Sequence, residues 1–160
     1  MKELTCCFSG HRVLESPRKV AKLLIPEIEN LISKGVIYFC CGGALGFDTL
    51  AAETVIKLRK KHKSIKLILI LPCYNQDRYW DNEEKHTYKK IKAGADEVIY
   101  TSEAYYKGCM MKRNRELIDG SKYLVCYLRK LTGGTAYTVS YATRKDLEII
   151  NLADKKNKNK

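Results

Sequence analysis

The chain predicts an α/β fold: a single domain with a mostly parallel sheet covered by helices on both faces. Three features point there. Short apolar runs rich in β-branched and aromatic residues recur at 4–8, 36–41, 66–71, 97–100, 123–128 and 147–152, as expected of strands buried on both faces. Between them, apolar residues keep helical spacing. Polar or glycine-rich turns follow several of the strands, where open α/β sheets place their ligands. A length of 160 residues suits one domain, which buries about two thirds of its unfolded surface. The domain is expected over 1–153, with a disordered basic tail over 154–160.

The first strand leads into Ser9, Gly10, His11 and Arg12, whose side chains suit a phosphate or carboxylate through the arginine fork and the imidazole. Ser16 and Pro17 read as the cap and first turn of a helix whose apolar residues Val20, Leu23, Leu24, Ile28, Leu31 and Ile32 follow at helical spacing. Pro26 falls inside that pattern and is expected to kink or split it. The second strand ends on Gly42 and Gly43. With Ala44 and Gly46 these form a turn that brings backbone N–H groups close to a bound group, and Asp48 stands where a helix N-cap is expected.

The spacing Gly42-x-x-x-Gly46 is neither the dinucleotide fingerprint nor a phosphate-binding P-loop. Asp48 also disfavours a phosphate there, so the turn is either a plain βα connection or one that meets a sugar, a base or water. In the helix that follows, Phe47, Leu50, Ala51, Val55 and Leu58 face the core, and Glu53 falls off that face. It is a solvated residue or a ligand contact.

After the third strand, the polar and aromatic run 73–80 contains Tyr74 and the only tryptophan, Trp80. It is placed to cover a site or stack on a base, or to rest on the core. A charged, mostly exposed helix is expected over 82–93. The next helix is read with Met110, Met111, Asn114, Leu117 and Ile118 inward, leaving Lys112, Arg113 and Arg115 near its beginning. Cations there oppose the helix dipole, which calls for a nearby anion or acidic neighbours. Gly133, Gly134 and Thr135 open the last helix as a second glycine turn with a hydroxyl.

Net charge is +12, of which the tail 154–160 supplies +3 through four lysines and one aspartate. An anionic partner, nucleotide or nucleic acid, is favoured. Seven cysteines, with no CxxC and with neighbours such as Cys6 and Cys7 pointing to opposite faces of a strand, read as reduced core thiols rather than a zinc site. No metal and no cofactor are expected. The absence of an apolar run near ~20 residues, and of a signal-peptide pattern, predicts a soluble cytoplasmic protein with no membrane contact. A homo-oligomer is compatible with the sequence.

Four pieces in order resemble the SLOG superfamily, and its YpsA-like branch in particular: Ser9 to Arg12, the run 43–53 (GALGFDTLAAE), the run 112–121 (KRNRELIDGS) and the run 133–138 (GGTAYT). The resemblance implies a Rossmann-like sheet binding a nucleotide or nucleotide-derived molecule, in a sensory or regulatory role. The DNA-processing DprA proteins are similar at Gly42, Gly46 and Asp48 and at Arg113 to Arg115, implying single-stranded nucleic acid as a possible partner. The LOG phosphoribohydrolases are similar in plan, but the catalytic glutamate after their glycine turn has no counterpart after Gly133. A hydrolase reading therefore falls to Glu53 or Asp48.

Overall fold

Five helices alternate with six strands in the computed structural model, which describes residues 1–155. The elements are β1 (Thr5–Gly10), α1 (Pro17–Ser33), β2 (Tyr38–Cys41), α2 (Phe47–Arg59), β3 (Lys66–Leu71), α3 (Asn82–Gly94), β4 (Glu97–Tyr100), α4 (Cys109–Asp119), β5 (Tyr123–Tyr127), α5 (Gly134–Arg144) and β6 (Glu148–Asn151). The strands lie in the order β4-β3-β2-β1-β5-β6, and every neighbouring pair is parallel.

Right-handed crossovers explain the layering. From β1 the chain steps outward to β4, and α1, α2 and α3 pack side by side on one face. The chain then returns past β1 to β5 and β6, so α4 and α5 cover the opposite face. The two cores follow. Phe8, Leu24, Ile28, Phe39, Phe47 and Leu69 fill the first, and Cys7, Cys40, Leu117, Ile118, Leu124 and Ala142 fill the second. Adjacent cysteines divide between them as strand alternation requires: Cys6 and Cys41 lie in the first core, Cys7 and Cys40 in the second. All seven thiols are free and buried.

Pro26 does not split α1, which is assigned without a break from Pro17 to Ser33. The buried stripe of Val20, Leu24, Ile28 and Leu31 holds both halves on the sheet and offsets the hydrogen bond that proline cannot make. The charged helix α3 is anchored at two points, Tyr88 and Ile91, and starts with a full capping box between Asp81 and Glu84. Leu152 is buried in a 3₁₀ turn, Leu152–Asp154. Most of the predicted disordered tail lies outside the described residues.

Candidate functional site

Five loops leave the carboxyl ends of the strands, and the glycine turn after β2 is the most tightly built. Gly43 and Gly46 have φ of 69° and 76°, where a side chain is strained. A Cβ on Gly46 would stand 2.2 Å from the carbonyl oxygen of Arg12. The Phe47 N–H donates to the His11 carbonyl at 3.0 Å, so the β2 turn and the β1 loop are locked together. Ser9 and Gly10 belong to β1 rather than to its loop. Gly10 is needed there because a Cβ would lie 2.4 Å from the Phe47 ring.

Asp48 is not the helix cap. Gly46 takes that position, and Asp48 enters the first turn of α2, because the positive φ of Gly46 ends the loop before Asp48 is reached. Its carboxylate accepts from the Ala44 N–H at 3.2 Å and is 7% exposed. Burial pushes its pKa up to about 6, against the opposing pull of Arg113, the Ala44 N–H and Arg12.

Arg113 is also inside, at 3% exposure. Its Nη1 donates to the Gly42 carbonyl and, at 3.5 Å, to that of Ile70. Nε donates to Asn114 Oδ1 at 2.8 Å. The inward face of α4 is Cys109, Arg113, Leu117 and Ile118; Met110, Met111 and Asn114 are half-buried. The expected phase is thus corrected by about one residue, because the ends of β2 and β3 present carbonyls that need a donor. Arg115 faces the other way, toward the Tyr137 hydroxyl at 3.4 Å. The fold therefore separates the two arginines that the sequence pairs.

Gln76, which sequence reasoning passed over, pins the β3 loop to this turn. Its Nε2 donates to the Tyr88 hydroxyl at 2.9 Å and lies 3.4 Å from the carbonyls of Gly42 and Gly43. Trp80 packs edge-on against Tyr88, ring centroids 5.0 Å apart, and is half-buried beneath the loop. Tyr74 is 57% exposed and stands against Tyr100 at 4.6 Å.

The strand order reverses between β1 and β5, the switch point at which open α/β sheets form a crevice. His11 crosses it: its Nε2 accepts from the Arg129 N–H at 2.9 Å and lies 3.4 Å from that of Lys130. That role requires an unprotonated Nε2. Burial, then Lys130 and Arg129, hold the imidazole pKa below its usual value. The crevice, about 530 Å³, is lined by His11, Arg12, Glu15, Tyr127, Arg129 and Lys130, with Val13. A neighbouring cleft of about 450 Å³ lies between the β1 loop, α2 and α3; its polar lining is Arg12, Thr49, Glu53, Glu83, Glu84 and Thr87.

Arg12 lines both clefts. Of the predicted residues, His11, Arg12, Gly46 and Glu53 line these clefts, while Ser9, Gly42, Asp48 and Arg113 are buried and line neither. Gly133, the cap of α5 with φ of 100°, Gly134 and the buried Thr135 line neither cleft. Arg129 and Lys130 had a signal in the sequence, a basic pair directly after the fifth strand. No group of three His, Cys, Asp or Glu able to hold a metal occurs among the described residues. No helix among them is long and apolar enough to cross a membrane.

The model of the YspA SLOG family matches residues 13–152. This chain belongs to the YspA SLOG family. Among its relatives is the SPbeta prophage-derived protein YoqJ of Bacillus subtilis, 34% identical over 139 residues, or 79% of this chain and 81% of YoqJ. The SLOG fold is shared with DNA processing protein A (DprA) of Streptococcus pneumoniae at a TM-score of 0.67 and 20% identity. DprA of Helicobacter pylori, described for its single-stranded DNA binding mode, aligns at 0.65 and 23% identity. Both alignments cover 92% of this chain, but only 50% and 64% of the respective DprA chains.

Proposed function

We propose that this SLOG domain is a cytoplasmic sensory or regulatory module that binds a nucleotide or nucleotide-derived molecule at the switch point. One observation carries the reading: Arg12 stands at the junction of a cationic crevice and a carboxylate-bearing cleft. A phosphate fits the first beside Arg12, Arg129 and Lys130, whose three charges outnumber that of Glu15, the one carboxylate there, 3.7 Å from Arg129. Sugar hydroxyls fit the second beside Thr49 and Glu53, because a carboxylate accepts from hydroxyls that a phosphate cannot offer. His11 joins the β1 and β5 loops through the Arg129 and Lys130 amides, so the loops that carry the cations are held together before the ligand arrives.

A second reading, single-stranded DNA in the same crevice, is supported by the description of the Helicobacter pylori DprA and by a net charge of +12. A hydrolytic variant of the first reading rests on Glu53 alone, since Asp48 is sealed beneath the glycine turn.

Thermal shift with mono-, di- and cyclic nucleotides and ADP-ribose derivatives tests the proposal through linkage. At least one is expected to raise the Tm. No response at millimolar concentration from any of them, with a short oligonucleotide raising the Tm, overturns the first reading in favour of the second.

A further inference from the structure

A further groove, about 310 Å³, runs between α2 and α3 and meets the carboxylate-bearing cleft at Glu53 and Thr87, which line both. Its apolar lining is deep, with Ile91 buried and Ile56 half-buried. Lys57, Lys60 and Lys90 line it exposed, with His86, against the one carboxylate of Glu53. Lys57 stands four residues after Glu53, the spacing at which a glutamate and a lysine pair along a helix. Yet none of Glu53, Lys57, Lys60 and Lys90 enters an ion pair among the described residues, so these charges are open to a ligand. Both helices return between parallel strands and run the same way, so their turns line the cleft first and the groove next. From Arg12 the trough therefore reads cationic, then acidic at Glu53 and Glu83, then cationic again.

We propose that the ligand of this trough is a nucleotide-derived molecule with two phosphoryl groups separated by a sugar, the second bound by Lys57, Lys60 and Lys90. The proposal rests on the switch-point reading, which puts the first phosphate beside Arg12 and the sugar beside Glu53, and it names the ligand class which that reading leaves open. The groove opens into the cleft at Glu53, so its occupant and the sugar belong to one molecule. The carboxylates between the cations select the pattern. A phosphodiester strand carries a charge at every sugar and meets Glu53 and Glu83 with like charge, whereas an uncharged sugar offers them hydroxyl donors. Lys57 and Lys60 lie about 6 and 10 Å beyond Glu53 along the helix axis. Helical side chains lean back toward the amino end, so a phosphate on the sugar itself falls to Lys57. Ile56 and Ile91 leave an apolar surface for a base.

The test compares ADP-ribose with ADP-ribose 2′-phosphate, which differ by one phosphoryl group, in calorimetric titrations of the full chain. The phosphorylated probe is expected to bind about tenfold tighter, the gain from one charge-assisted contact. Combining Lys57→Ala with Lys90→Ala should remove that preference. Combining Lys63→Ala with Lys89→Ala, at exposed lysines outside the groove, should keep it, which separates a local contact from attraction to a net charge of +12. All four lysines are exposed, so unfolding curves of the variants should match wild type. Equal binding of the two probes, binding of neither, or a preference that survives the loss of Lys57 and Lys90 overturns the proposal. An oligodeoxythymidylate whose binding depends on Lys57 and Lys90 in the same way gives the groove to a strand and overturns it too. The switch-point reading is decided separately, by whether any nucleotide raises the Tm.

Discussion

The Arg113 Nη1–H donates a hydrogen bond to the carbonyl of Gly42 from inside the protein. A Cβ on Gly42 would stand 2.7 Å from the same guanidinium, so α4 reaches across the sheet and clamps the glycine turn of β2. Arg113→Ala leaves the Gly42 carbonyl without its donor and the nearby Asp48 without its cation. The expected loss is about 3 kcal/mol of stability in urea unfolding. Arg115→Ala is expected within about 0.5 kcal/mol of wild type. Equal effects of the two would contradict a buried clamp at Arg113 and a surface role at Arg115.

Asp48 makes the fold sensitive to pH in an unusual direction. Its folded pKa, about 6, is raised above the ordinary aspartate value, so its contribution to stability is fully present below the unfolded value and is lost as pH rises through 6. A rise of that size corresponds to about 3 kcal/mol between the two limits. Measured by denaturant unfolding from pH 4 to pH 7, Asp48→Asn should lack this loss, so the stability difference between variant and wild type should change with pH in the variant's favour. A difference independent of pH would show that Asp48 is ionised throughout.

His11 behaves in the opposite sense to Asp48. Its pKa is depressed, so its contribution is present above the usual imidazole value and is lost as pH falls through the depressed one. Protonation turns the acceptor of the Arg129 and Lys130 amides into a donor. The backbone amide resonances of Arg129 and Lys130 should titrate together with the His11 ring below neutrality. Amides that stay fixed while the ring titrates would separate His11 from the β5 loop.

Two glycines with similar φ should respond differently to alanine. Gly46 and Gly35 have φ of 76° and 98°, yet a Cβ on Gly46 meets the Arg12 backbone at 2.2 Å and one on Gly35 meets nothing within 4 Å. Gly35→Ala is expected to cost about 1 kcal/mol from backbone strain alone. Gly46→Ala should cost more than about 3 kcal/mol and displace the β1 loop. Similar melting temperatures for the two would mean that the turn and the loop are not in contact.

The strand pattern, the two-sided sheet and the facing of the thiols were legible because each follows from alternation within a few residues. Asp48 was misread as a cap because the decision lies with Gly46, whose backbone ends the loop early. Arg113 was read as outward because local hydropathy gives no reason to bury an arginine. That reason lies in the carbonyls of Gly42 and Ile70, strand ends distant in sequence. Arg12 is singled out in the sequence by its place after β1, but Arg129 and Lys130 join it in one crevice only through the strand order, which local sequence does not reveal. Of the places open to Trp80, over a site or on the core, its packing against Tyr88 of α3 could not be read locally, since the two rings meet only once the β3 loop folds back on that helix.

Arg12 is the direct test of the switch-point proposal, since it is exposed and lines both clefts, and alanine there keeps the backbone that meets Gly46. The measurement is calorimetric titration of wild type and Arg12→Ala with whichever phosphate-bearing nucleotide gives the largest thermal shift. The account predicts an unfolding stability within about 0.5 kcal/mol of wild type and binding weaker by roughly 1.5–3 kcal/mol, the contribution of a charge-assisted contact. Unchanged affinity in Arg12→Ala, with the nucleotide still bound, would contradict it and move the ligand away from the crevice between β1 and β5.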